Sequence, residues 1–319
     1  MKQVDHTRAS IDAKPPNVTI TDFDTSMKAA IAEVYPEAKP QICVFHINKN
    51  VTLHIKRKWN KAVAAAVAEA TGNPPPRSQE EQEAELDQVE EQAVVDRANR
   101  PLDGNPGPRP EDVVEYSMAG LYKLWEGIVY AHTVEDYDKA WQKLKDYFGQ
   151  QTAIIDYLEE TWLPYEDQWA GCHINKVLNF GQRTTSPVES VNRYLKSFVV
   201  TGASTIVAVV RQSLNMLQQM EASIEEGLKK ERNRLKFEFL GQKWLGKAPY
   251  NVSAKALTLV TRQHQIMLSA IPSRSRPNPP PLQPCSHQFS AQFGIPCSHA
   301  LLDKHQANEV LTKEDFSPY

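Results

Sequence analysis

No stretch of this sequence approaches the ~20 consecutive apolar residues a helix needs to cross a bilayer. The opening residues, MKQVDHTRASIDAKPPN, are polar where a secretory signal carries an apolar core. Cysteine is scarce, with Cys43, Cys172, Cys285 and Cys297 making the full set. Four thiols spread over 319 residues do not make a disulfide framework. They fit an intracellular chain, where free thiols or metal ligands are expected. Net positive charge is absent as well: 36 Lys and Arg against 39 Asp and Glu leave a formal charge of −3, so no overall basic excess advertises nucleic acid. No internal repeat is present, which excludes a solenoid.

What is present is the composition of a soluble globular chain long enough for two or three domains, with 41% hydrophobic and 24% charged residues. The average charge hides basic runs at 48–61 (NKNVTLHIKRKWNK) and 229–236 (KKERNRLK), set against the acidic EEQEAELDQVEEQ at 80–92. Each alone reads most simply as a solvated helix face.

Residues 18–22, VTITD, are a β-branched run that reads as a buried strand ending at Asp22. Asp24 stands at a helix N-cap, and Met27, Ala30, Ile31 and Val34 follow at helical spacing until Pro36. QICVF (41–45) reads as a second strand, with an amphipathic helix from about Ile47 to Ala70. That order predicts an α/β unit with a parallel strand pair. Residues 73–111, proline-rich at both ends with an acidic centre, read as a surface insertion or linker whose centre forms an exposed helix. Residues 112–170 are helical and aromatic: Thr133 with Asp136 caps a helix, and Trp125, Trp141, Trp162 and Trp169 are read as core. Further helices are expected over 186–200, with Pro187 in the first turn, over 204–240 and over 252–270. SRSRPNPPPLQP (273–284) links them to a cysteine/histidine tail.

Two carboxylates stand out. Asp22 lies at the carboxyl end of a predicted strand, where ligands gather in open α/β sheets. A turn or capping role is the plainer alternative. Glu189 falls in the first turn of the helix opening at Ser186-Pro187, which the helix dipole alone would favour.

The segment TDFDTSMKAAIAEVYPEAKPQICVFHINKNV (21–51) resembles the central block of the Mutator-like (MULE) transposases: an Asp after a strand, a helix, a second strand, then Cys-x-x-His, here Cys43 to His46. YLEETWLPYEDQWAGCHINKVLNFGQRTTSPVESVNRYLKSF (157–198) resembles the same family's block around its catalytic glutamate. The resemblance covers roughly residues 17–300. It implies a ribonuclease-H-like, DDE integrase-type α/β core and two-metal strand cleavage and transfer on transposon-end DNA. It makes Asp22 the second and Glu189 the third carboxylate of the DDE triad. Cys43 and His46 become the family's Cys-x-x-His pair, with a structural role near the active site expected. Two Mg²⁺ (or Mn²⁺) ions about 3.5–4 Å apart clamp the attacking and leaving oxygens of an in-line displacement at phosphorus. Magnesium's preference for oxygen ligands is why carboxylates suit the task.

The first Asp of such a triad lies well upstream of the second. Asp5 and Asp12 are too close to Asp22 and follow no strand-like run. The expectation is therefore a core incomplete at its N-terminus, a chain cut before its first catalytic Asp and inactive by itself. A domesticated DNA-binding or regulatory protein of the same descent is the alternative. The expected domains are 1–54 (partial core), 55–170 (helical insertion), 171–203 (final core segment), 204–272 (helical region) and 273–319 (linker and finger).

In the tail, Cys285-Ser-His287 and Cys297-Ser-His299 bracket nine residues, and together they offer zinc a Cys₂His₂ shell. The pattern resembles the SWIM-type zinc finger that follows the catalytic domain in Mutator-like transposases, with His287 where that finger has its second Cys. A degenerate finger with merely buried cysteines is the alternative. Cys172-His173 is read as structural. The resemblance also implies a nuclear protein that works as a homo-oligomer on DNA, with no membrane partner.

Overall fold

The computed structural model describes residues 15–99, 114–186, 189–191, 193, 196, 205–234 and 236–318. Asp5, Asp12, Pro187 and the proline cluster within 100–113 lie outside them. The chain divides into two compact units, Met1–Thr184 and Thr185–Tyr319. Helix dominates both, and the described residues contain one sheet, a two-strand parallel pair.

The first unit opens with β1 (Val18–Thr21), α1 (Thr25–Val34) and β2 (Lys39–Ile42). The strands pair in register, Val18 opposite Lys39 through Thr21 opposite Ile42. Asp24 caps α1 as its position suggests, accepting the Met27 N–H at 2.7 Å. No residue of α1 is fully buried, because two strands are too narrow to cover its apolar side.

The second strand is displaced from the expected QICVF: β2 ends at Ile42, and α2 (Val44–Lys58) begins two residues later. Val44, Ile47, Asn48, Val51, Thr52 and Ile55 are its buried residues, a stripe of helical period that already includes Val44. Helix geometry thus claims the residues that alternation alone assigned to a strand. The expected single helix to Ala70 is two helices. The chain breaks at Trp59, and Asn60 caps α3 (Lys61–Thr71) by accepting from the N–H groups of Ala62 and Val63 at 3.1 and 3.2 Å. Gln151 clamps this break by accepting from Asn60 N–H (2.8 Å) and donating to its carbonyl (3.2 Å).

The acidic run forms α4 (Gln79–Asn99). It is more than a solvated helix, because Leu86 is wholly buried in the first unit's core and Lys56 pairs with Asp87 at 2.6 Å. That core is built by α5 (Met118–Val129), α6 (Val134–Phe148) and α7 (Thr152–Tyr157), with the turns that follow α7 to Gln168 and the short α8 (Gly171–Ile174). Thr133 caps α6 through the Asp136 N–H at 3.0 Å. Trp125, Trp162 and Trp169 are buried and Trp141 packs partly buried against them. Trp125 and Trp169 rings lie 5.1 Å apart, and Trp125 Nε1 donates to Asn48 Oδ1 at 3.1 Å, satisfying a buried donor.

In the second unit, α9 (Ile206–Asn233) is a single long helix. After α10 (Ala248–Asn251) comes α11 (Ala254–Ser269). The tail then supplies α12 (Gln288–Phe293) and α13 (Ser298–Gln306). Leu257, Val260 and Met267 of α11 share a core with Phe289, Phe293, Ile295, Cys297 and Leu301. Gln263 Oε1 accepts the Ser298 N–H at 2.9 Å. The tail is therefore part of this unit's core.

Candidate metal centres

The first centre is made by the backbone. Because β1 and β2 run parallel in register, Asp22 and Cys43 are the next residues beyond the paired Thr21 and Ile42 and leave the same sheet edge side by side. Cys43 N–H donates to the Thr21 carbonyl at 2.8 Å, extending the pairing by one bond. Phe23 anchors the turn after Asp22 by packing on Trp162 and Tyr165, with ring centroids 5.2 and 5.0 Å away. Cys43 is the N-cap of α2, so His46 follows one helical turn later. His46 Nδ1 lies 2.9 Å from Asp22 Oδ1, and one ligand atom each from Asp22, Cys43 and His46 fall within 4.8 Å of one another. The Asp22 side chain is 57% exposed and that of His46 32%, while Cys43 is buried.

A loop within the second family-like block reaches the same edge. Gln41 Nε2 donates to the Ile174 carbonyl (3.3 Å), and Val44 N–H donates to the Arg183 carbonyl (2.9 Å). Arg183 is itself held by Asn175 Oδ1 at 2.8 Å and by the Tyr130 ring at 5.1 Å. Glu189 belongs to the second unit, in the first turn of the helical segment that opens at Ser186. Its N–H donates to the Thr185 carbonyl (3.0 Å), its Oε1 accepts from the Thr185 hydroxyl (3.3 Å), and the residue is exposed.

The second centre is the tail. Cys285 Sγ lies 3.8 Å from Cys297 Sγ and 3.7 Å from His287 Nδ1. Cys285, Cys297 and His299 bring ligand atoms within 4.8 Å of one another. With Zn–S of about 2.3 Å and Zn–N of about 2.0–2.1 Å, a tetrahedral shell has edges of roughly 3.8 Å (S–S) and 3.6 Å (S–N). Both observed separations match two edges of such a shell within about 0.1 Å, while His287 stands outside the group of three whose ligand atoms all converge. His287 takes a left-handed backbone (φ 57°), an uncommon conformation for a residue with a Cβ, and this turn swings its ring to Cys285. Burial by itself would raise the Cys297 thiol pKa. The N–H of Ala300, the Ser290 hydroxyl and the N–H of His299 outweigh burial and hold it below the usual thiol range. Burial pushes Cys285 the other way, above that range. A lowered thiol at a helix N-terminus is the form a metal takes, since the thiolate is the ligand. His299 Nε2 lies 2.6 Å from the Gln283 carbonyl, an outer contact that orients the ring.

Sequence reasoning named the residues that come together at both centres but missed their supports. Nothing in the spacing marks Ser290, Gln283 or Phe23, because each acts through tertiary contact. Cys172 is buried, and burial pushes its thiol up to about 11, which fits the structural role read for it. The basic run 229–236 is largely spent within the second unit. Lys229 and Lys230 pair with Glu225 and Glu226, and buried Lys236 donates to the Val252 carbonyl at 2.9 Å.

Comparison with known proteins adds three findings. Residues 1–50 match the MULE transposase domain. The chain is also 30% identical over 319 residues to the PKS-NRPS hybrid synthetase cheA of Chaetomium globosum, a match that takes in 98% of this chain and 6% of that protein. The chain thus spans a small fraction of that relative, and the synthetase's name describes the whole of it. No solved structure matches.

Proposed function

We propose, on the premise that residues 1–50 belong to the MULE transposase family, that this chain is part of a Mutator-like DNA transposase of the two-metal DDE class. The observation that carries the reading is the coincidence of that match with geometry. Asp22, exposed at the carboxyl edge of a parallel strand pair, has the Cys43-x-x-His46 pair beside it. In this reading the two-strand pair belongs to a ribonuclease-H-like core, and residues 55–170 form the helical insertion. Asp22 and Glu189 are the second and third carboxylates.

Mg²⁺ or Mn²⁺, when bound to those carboxylates, supplies charge neutralisation at the phosphate and an activated attacking oxygen. The protein's own part is positional. Phe23 and the Cys43–Thr21 bond hold Asp22 at the edge, and Thr185 orients the Glu189 carboxylate. His46 Nδ1 packs against one Asp22 carboxylate oxygen at 2.9 Å. Asp22 and Glu189 are the two carboxylates of the three-carboxylate mechanism assigned here. The tail holds zinc through Cys285, His287, Cys297 and His299 as a SWIM-type finger, and its role is to brace the second unit and engage DNA. The protein works in the nucleus as a homo-oligomer on transposon ends.

A second reading, a domesticated DNA-binding or regulatory protein, draws on the same His46–Asp22 contact, which occupies a carboxylate oxygen that a catalyst would give to metal. Fluorescence anisotropy on duplex DNA, with and without Mg²⁺, tests the proposal. Binding that weakens steeply with salt and tightens with Mg²⁺ in an Asp22-dependent way supports the transposase reading. Salt-sensitive binding indifferent to Mg²⁺ favours the second. No DNA affinity refutes both.

A further inference from the structure

We infer that Asp22, Cys43 and His46 form a site for a borderline-soft divalent ion of the zinc class, separate from the tail centre, and that an ion held there takes Asp22 away from the Mg²⁺ role of the transposase reading. The argument starts with the sheet. Parallel neighbours lie about 4.8 Å apart, so a register that pairs Thr21 with Ile42 delivers Asp22 and Cys43 together whatever their rotamers. The helix capped by Cys43 then returns His46 to the same point. Three donors converge within 4.8 Å, and they are of three kinds: a carboxylate oxygen, a thiol sulfur and an imidazole nitrogen.

That mixture selects the ion. Magnesium takes oxygen donors and has no use for sulfur, whereas zinc and cobalt(II) accept all three. Three protein ligands with a fourth position open to water is the arrangement of an accessible zinc site rather than a closed structural one. Here the open side is Asp22, whose side chain is 57% exposed and gives the ion its entry path. Cys43 is fully buried and reaches the site from the protein side. A nucleophilic role for this thiol is excluded because no substrate can approach it. The nitrogen–oxygen edge of tetrahedral zinc is roughly 3.4 Å. The observed 2.9 Å is shorter than that edge, so the pair opens by about half an ångström when the ion enters. The Cys43 thiol proton leaves to solvent on coordination, so binding tightens as pH rises.

The test uses the full chain with Cys285→Ser and Cys297→Ser, which removes the tail thiolates, titrated with Co²⁺. The expected result is one equivalent of Co²⁺ bound, with a thiolate-to-cobalt charge-transfer band in the near ultraviolet. Zn²⁺ should bleach the band and excess Mg²⁺ should leave it. Adding Cys43→Ser should abolish the band. Asp22→Asn, on an exposed side chain whose change leaves the fold intact, should weaken Co²⁺ at least as much as the roughly 10–100-fold typical of losing an outer-shell partner. The Asp22 variant keeps the test decisive if the buried Cys43 variant fails to fold. Absence of a charge-transfer band in the tail variant, or affinity unchanged by Asp22→Asn, overturns the inference. Because the readout contains no DNA, either result stands apart from the DNA-binding test of the transposase reading.

Discussion

Stripping zinc from the tail should loosen the second unit in a measurable way. The elements that carry the ligands, α12 and α13, are too short to persist alone, because helices under about 12 residues are marginal in water. They stay in place through Phe289, Phe293, Cys297 and Leu301 packed in one core with α11, and the proposed zinc would add a bridge between Cys285 and Cys297, whose sulfurs lie 3.8 Å apart. An ion that binds only the folded form, supplied about a thousandfold above its Kd, adds about 4 kcal/mol. For a unit of this size each kcal/mol moves the midpoint by about 3–5 °C, so zinc should raise it by roughly 10–20 °C over chelator. The assay is a thermal melt by circular dichroism at stepped free zinc, repeated on Cys297→Ser. The Cys297 variant should show a flat response. A wild-type midpoint that ignores free zinc would refute the reasoning and leave the matching sulfur–sulfur and sulfur–nitrogen edges as coincidence.

Three further outcomes follow from packing and titration. Asn48→Ala leaves the buried Trp125 N–H without its acceptor, and should cost about 1–3 kcal/mol in chemical denaturation; a change under a few tenths would contradict the contact. Gly246 has φ +52° and space for no side chain, since a Cβ there would lie 2.7 Å from the Leu311 carbonyl. Gly246→Ala should therefore destabilise the second unit by about 1–3 kcal/mol, read from its melt. Cys172 titrates higher when folded than when unfolded, so the folded state keeps a proton that the unfolded chain loses first. Stability from this group is fully present below the ordinary thiol range and falls as pH rises from there through about 11. Comparing the alkaline limb of stability for wild type and Cys172→Ala checks the sign.

Much of this was legible in the sequence where local rules decide the outcome. Asp24 as a cap, Thr133 with Asp136, the tryptophan core and the helix over 254–269 all follow from spacing and capping chemistry. The misreadings share a cause, which is tertiary contact overriding local pattern. Val44 and Phe45 look like strand, yet Val44 begins the buried stripe of α2. Leu86 sits among carboxylates that suggest solvent, yet one apolar side chain is enough to seat α4 on the core. The break at Asn60 needed Gln151, 91 residues away, to hold it. At the candidate site, Asp22, Cys43 and His46 were each visible, but their convergence depends on strand register, which no spacing rule supplies.

The central proposal is that Asp22, exposed beyond the parallel strand pair, is a divalent-ion ligand of a DNA-binding transposase chain. The direct measurement is Mn²⁺ affinity in the presence of duplex DNA, followed by electron paramagnetic resonance, for wild type, Asp22→Asn, Glu189→Gln and the double variant. The proposal predicts that Asp22→Asn weakens Mn²⁺ and that Glu189→Gln does so too. A Mn²⁺ affinity untouched by Asp22→Asn would contradict it.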